Sequence, residues 1–182
     1  MKELPAGGGF IHVERGLFLM REAKLDYYLN IAAEVAKRGT CLRRNYGAVI
    51  VKNDEIVATG YTGAPRGSVN CCDAGECIRQ KMGVPSGERY ELCRSVHAEM
   101  NAIISASRTS MLGATLYLAG WEMVDGKFDH LVMKAEPCRM CRKIITNAGI
   151  KDVVSYLDNT ATDTDARYFI DSPTLWVIGD KL

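Results

Sequence analysis

The pattern His97-Ala98-Glu99, followed downstream by Pro137-Cys138-Arg139-Met140-Cys141, constrains the fold of this 182-residue chain more tightly than any other feature. One imidazole and two thiolates suit four-coordinate zinc, and a site with three protein ligands keeps its fourth position for water. Two segments far apart in the chain therefore have to meet at one point. Pro137 suits the opening of a helix, and Cys138 and Cys141 then share one face of its first turn. The unpaired amides and partial positive charge of a helix start favour thiolate over thiol. His97 begins a second helix, which puts the metal between two helix starts. Glu99, two residues on, reaches water activated at the metal without completing the ligand set, the position of a general base that then serves as general acid. His12 and His130 have no comparable partners and read as surface residues.

Charge and cysteine usage narrow the class. Lys plus Arg number 23 against 22 for Asp plus Glu, so no large positive field draws nucleic acid, and a small substrate fits better than a polyanion. No apolar run approaches the roughly 20 residues of a membrane span, and Leu17-Phe18-Leu19-Met20 is too short for a signal-peptide core. A cytoplasmic protein is expected. Its seven cysteines cannot all pair within the chain, and in a reducing compartment clustered Cys read first as metal ligands.

The length fits one domain. Residues 1–20, with Pro5 and Gly7-Gly8-Gly9, read as a flexible N-terminal extension, and residues 21–182 as the folded unit. Apolar residues from Leu25 to Ala36 recur at helical spacing, with Gly39 as a stop. Ala48–Val51 and Ile56–Thr59 read as strands around the Asn53-Asp54-Glu55 turn. A long Gly- and Cys-rich segment runs from Gly60 to Arg94, a length expected of a functional or stapled loop. Residues 99–111 predict a helix, 115–119 a strand, 139–148 a helix ended by Gly149, and 153–156 and 175–178 further strands. Alternating strands and helices point to a layered α/β fold with a substantially parallel sheet.

Several blocks, in order, resemble the cytidine and deoxycytidylate deaminase family, and within it the dCMP deaminases. They are Arg43-Arg44-Asn45-Tyr46-Gly47-Ala48-Val49-Ile50-Val51, Gly60-Tyr61-Thr62-Gly63-Ala64-Pro65-Arg66-Gly67, Val69-Asn70-Cys71, His97-Ala98-Glu99-Met100-Asn101-Ala102-Ile103 and Asn147-Ala148-Gly149-Ile150. The resemblance, over roughly residues 24–156, implies a three-layer cytidine-deaminase-like α/β fold with a mixed five-stranded sheet flanked by helices. It implies a catalytic zinc on His97, Cys138 and Cys141, Glu99 as proton shuttle, and hydrolysis of dCMP to dUMP and ammonia. It further implies a homohexamer, dCTP as activator, dTTP as inhibitor and magnesium accompanying the nucleotide. Asn45, Thr62, Gly63 and Ala64 fall in its substrate-binding blocks, with Thr62 facing the sugar. Because phosphate needs cationic or NH partners, Arg43, Arg44, Arg66 and Arg108 are the candidates to hold it.

The chain departs from the family pattern in three places. Thr62 stands where Asn is usual, and an amide both donates to and accepts from a sugar hydroxyl. The Tyr that many members use at the phosphate is shifted in register at Tyr156, followed by the acidic Asp158, Asp163 and Asp165. An insertion runs from Trp121 to Ala135. Cys41 and Cys71 match positions that hold a structural zinc in some members, and Cys77 and Cys93 match further cysteines in others, so the four make a candidate second zinc site. Cys72 reads as packed or free. Deamination of another nucleoside, a modified nucleotide or tRNA adenosine stays open, as does a non-catalytic nucleotide-sensing protein that uses zinc for structure, which Glu99 argues against.

Overall fold

A computed structural model describes residues 21–85, 87–157 and 168–171. The expected extension 1–20, the strand candidate at 175–178 and the acidic residues at 158, 163 and 165 lie outside these residues.

Strand β1 (Arg44–Lys52) is apolar on both faces because it is central, flanked by β2 (Glu55–Tyr61) and β3 (Thr115–Val124), both antiparallel to it. Strand β5 (Asp152–Tyr156) runs parallel to β3, and β6 (Tyr168–Asp171) antiparallel to β5. The order β2-β1-β3-β5-β6 is the expected mixed five-stranded path, and β4 (Lys127–Leu131) adds a sixth strand on the outer half of β3. The expected predominance of parallel pairing does not hold, since only β3–β5 is parallel among the described pairs. The helical connections do give β2, β3 and β5 a common direction. However, the hairpin partner β1 inserts antiparallel between β2 and β3.

Side-chain alternation along the central strands makes two cores. Val49, Val51, Tyr117, Ala119 and Val154 face α1 (Lys24–Ala36), which buries Tyr28, Leu29, Ala32 and Ala33 against them. Ala48, Ile50, Leu116, Leu118 and Val153 face the opposite layer, where Ala98 and Ala102 of α4 (Ala98–Ile104) and Cys141, Ile145 and Ala148 of α6 (Arg139–Ala148) pack. The sheet thus lies between two helical layers. Gly60 lets β2 touch α4: a Cβ there would stand 2.3 Å from the Ala102 nitrogen and 2.4 Å from the Ala98 oxygen.

Two short helices, α2 (Cys71–Ala74) and α3 (Ile78–Lys81), and a 3-10 turn at Tyr90–Leu92 give the Gly- and Cys-rich segment its own structure. The helix expected over 99–111 is broken into α4 and α5 (Arg108–Met111), because Ser105 ends the first and Ser107 caps the second by accepting from the Ser110 amide. The insertion at 121–135 forms the β3–β4 hairpin, turned by Asp125 and Gly126 at positive φ. Trp121 anchors it by donating from Nε1 to the Ala33 carbonyl. No helix among the described residues is long and apolar enough to cross a membrane.

Candidate active site

Helices α4 and α6 start beside each other on one face of the sheet, each opened by an extended residue that carries a ligand. His97 is the N-cap of α4 and Cys138 that of α6. The Sγ atoms of Cys138 and Cys141 lie 3.5 and 3.4 Å from His97 Nδ1. Tetrahedral zinc with ordinary Zn–S and Zn–N bonds separates such atoms by about 3.6 Å, so the three side chains already have the spacing the metal requires. Among the described residues no other group of three His, Cys, Asp or Glu side chains meets within the 4.8 Å that bounds this one. The donor set and its spacing both fit zinc, with Nδ1 as the imidazole ligand.

Burial and mutual contact set the protonation of the centre. The Cys138 thiol is lowered to about 4, first by the hydrogen bond from Cys141 and then by that to His97. The Cys141 thiol is pushed up, because it supplies the proton the pair shares. His97 is raised by its hydrogen bond to Cys138, against the opposing effect of burial. Glu99, 5% exposed in the first turn of α4, is raised by burial. A carboxyl group raised by burial holds a proton more readily than an exposed one, which suits it to take and return a proton.

A cavity opens over this centre, lined by His97, Glu99 and Cys138 together with Arg43, Arg44, Tyr46, Thr62, Ser95 and Glu136. The residues expected at the substrate divide. Arg43 and Thr62 line the cavity; Arg66 and Arg108 are exposed elsewhere, and Arg108 donates to the Asn147 carbonyl. Gly63 does not line it and instead bridges to Val96 through two backbone hydrogen bonds, and Ala64 follows along the same loop. Asn45 is buried as a clasp, accepting from the Cys41 amide at 2.9 Å and donating to the Cys41 carbonyl at 3.0 Å.

Thr62 lines the cavity, yet its hydroxyl has a backbone partner. Where β2 ends, the Thr62 carbonyl turns away to accept from Thr40, and Thr62 Oγ1 takes its place as acceptor for the Tyr46 amide at 3.0 Å. Tyr156 stands on the α1 side of the sheet, where its hydroxyl donates to Asn30 Oδ1 at 2.6 Å. Cys41 and Cys93 line the cavity, and Cys71 lies near enough to both and to Cys77 to feel their charge, although burial is the main cause that raises its thiol. Cys72 is exposed.

Among the cavity residues that the sequence did not single out are two that touch each other. Arg79 of α3 and Tyr90 of the 3-10 turn both line the cavity. The Arg79 guanidinium stacks 4.6 Å over the Tyr90 ring, which meets the His97 ring edge-on at 5.0 Å. Nothing local marks either residue: Arg79 sits among surface-type residues in a segment without periodicity, and its burial follows from how that segment folds back.

A helix-flanked mixed sheet with a His/Cys/Cys cluster suited to zinc and a buried glutamate at two helix starts is the arrangement of the zinc-binding deaminase class. The chain belongs to the cytidine and deoxycytidylate deaminase family, whose zinc-binding region matches residues 22–157. Among its relatives is the deoxycytidylate deaminase of Mycobacterium phage D29, 37% identical over 134 residues, which cover 71% of this chain and 91% of that protein. The deoxycytidylate deaminase of Schizosaccharomyces pombe is 34% identical over 129 residues, 71% of this chain but only 35% of the yeast protein. The apo crystal structure of the dCMP deaminase from cyanophage S-TIM5 superposes with a TM-score of 0.50 at 25% identity, covering 75% of this chain and 84% of the phage enzyme.

Proposed function

We propose that this protein hydrolyses dCMP to dUMP and ammonia. The observation that carries the reading is the buried Glu99 beside His97, Cys138 and Cys141 at the floor of a cavity. It is supported by the relatives named deoxycytidylate deaminase. When bound, zinc supplies the Lewis acidity that makes water nucleophilic at neutral pH. Glu99 takes a proton from that water and returns it to the ring nitrogen beside C4. The water oxygen joins C4; Glu99 then takes the remaining proton from that oxygen and passes it to the amino nitrogen, the C4–N bond breaks, ammonia leaves, and C4 keeps the oxygen as a carbonyl.

Ammonia release from dCMP, dCTP, cytidine and deoxycytidine by the zinc-loaded protein tests the substrate. Preference for dCMP is expected; turnover of deoxycytidine alone would make it a nucleoside enzyme, and silence on all four would favour a sensing role. We propose a second, structural zinc on Cys41, Cys71, Cys77 and Cys93, supported by the suitability of four thiolates for zinc and by Cys41 and Cys93 lining one cavity; no three of these thiols stand within 4.8 Å of one another, so the site would have to close on the metal. Two zinc ions per chain by elemental analysis are expected, and one ion removes the proposal.

A further inference from the structure

We infer that Arg79 is the anion-reading residue of this cavity and takes the phosphate of the substrate, which rests on the proposed nucleotide reading. Arg79 is 5% exposed and has no carboxylate partner among the described residues. Glu88 offers it a main-chain oxygen only, and Glu91, whose carboxylate feels the Arg79 charge, is hydrogen-bonded to Arg89 instead. A buried cation without a counterion is costly, and removing its solvation is not offset by cation–π contact alone.

The guanidinium carries five N–H donors in a fixed fork. Nη2 donates to the Pro85 carbonyl at 2.8 Å and to the Glu88 carbonyl at 2.5 Å. Nε is sealed with no partner. Nη1 has no hydrogen-bond partner among the described residues, and Arg79 is itself one of the residues that line the cavity. The two carbonyls hold the fork in one orientation, and an oxyanion would supply both the missing charge and the missing acceptor.

Position agrees with this chemistry. Tyr90 separates Arg79 from His97 by one aromatic ring, which sets the cation away from the metal ligands as the phosphate of a mononucleotide is set away from its base. The other cavity charges are already matched, Arg44 by Glu122 and Glu136 by Lys134 and Arg142. Arg43 is the one other lining cation with no carboxylate partner among the described residues, and it would assist.

The test compares kcat/KM on dCMP and on deoxycytidine for the zinc-loaded full chain and its Arg79→Gln and Arg79→Lys variants. Arg79→Gln should lose about 10- to 100-fold on dCMP, the worth of a charged hydrogen bond, and keep wild-type kinetics on deoxycytidine. Arg79→Lys retains charge without the fork and should fall between; it carries the test if the Gln variant does not fold. Inhibition of dCMP turnover by inorganic phosphate should weaken in both variants. Equal losses on both substrates would make Arg79 a clamp for the loop through Pro85 and Glu88, and unchanged dCMP kinetics or unchanged phosphate inhibition would equally overturn the inference. Failure of the wild type to turn over dCMP while it turns over deoxycytidine would instead defeat the nucleotide reading itself.

Discussion

Glu99 and Thr62 show how differently two polar side chains in one cavity are used. Glu99 is buried beside the His97, Cys138 and Cys141 cluster, and burial raises its carboxyl, as the proposed proton shuttle requires. Glu99→Gln should lower ammonia release by at least about 10²- to 10⁴-fold while elemental analysis finds zinc unchanged. Thr62 closes the last rung of the β1–β2 ladder with its hydroxyl. Thr62→Val leaves the Tyr46 amide without an acceptor and should cost about 1–3 kcal/mol in urea unfolding, whereas Thr62→Ser should stay close to wild type. The sequence carries the identity of both residues and the motif role of Glu99. It does not carry the partner of Thr62, which depends on the carbonyl beside it turning to Thr40.

At the scale of elements, the helix starts are legible because capping and ligand chemistry share the same residues. Pro137 before α6 and Gly149 after it mark both ends, and Gly149 adopts the left-handed conformation expected of a C-cap. The break between α4 and α5 was hidden because serine is tolerated inside helices as well as at their ends. The β3–β4 hairpin had a readable signal in Asp125-Gly126, a pair suited to tight hairpin turns. Gly60 sets the distance between β2 and α4. Gly60→Ala should destabilise by about 1–3 kcal/mol through overpacking and also slow turnover, because α4 carries His97 and Glu99; calorimetry and an ammonia assay on the same sample check the pairing. On the other layer, Tyr28 is held neutral up to about 12, chiefly by burial and then by its hydrogen bond to Asp54. Its folded value lies above the ordinary one of 10.0, so its contribution is complete below pH 10 and disappears as pH rises through about 12. A Tyr28→Phe variant should lack that part of the alkaline loss of stability in a pH-resolved melt.

Over the whole molecule, the zinc centre ties β5's neighbour α6 to α4 across a long stretch of chain, so metal binding and folding are coupled. Dialysis of the zinc-loaded protein against a chelator should lower the melting temperature and abolish turnover together, and zinc should restore both. The sequence by itself determined the family and singled out His97, Cys138 and Cys141 with Glu99 beside them, because metal chemistry demands particular side chains and helix starts demand particular neighbours. Only the tertiary structure decided that β1 lies antiparallel between β2 and β3, that Tyr156 faces α1, and that Arg79 is buried at the cavity. These follow from strand order and from the folding back of an aperiodic segment. Both depend on contacts between residues distant in the chain, which no local pattern of side chains encodes.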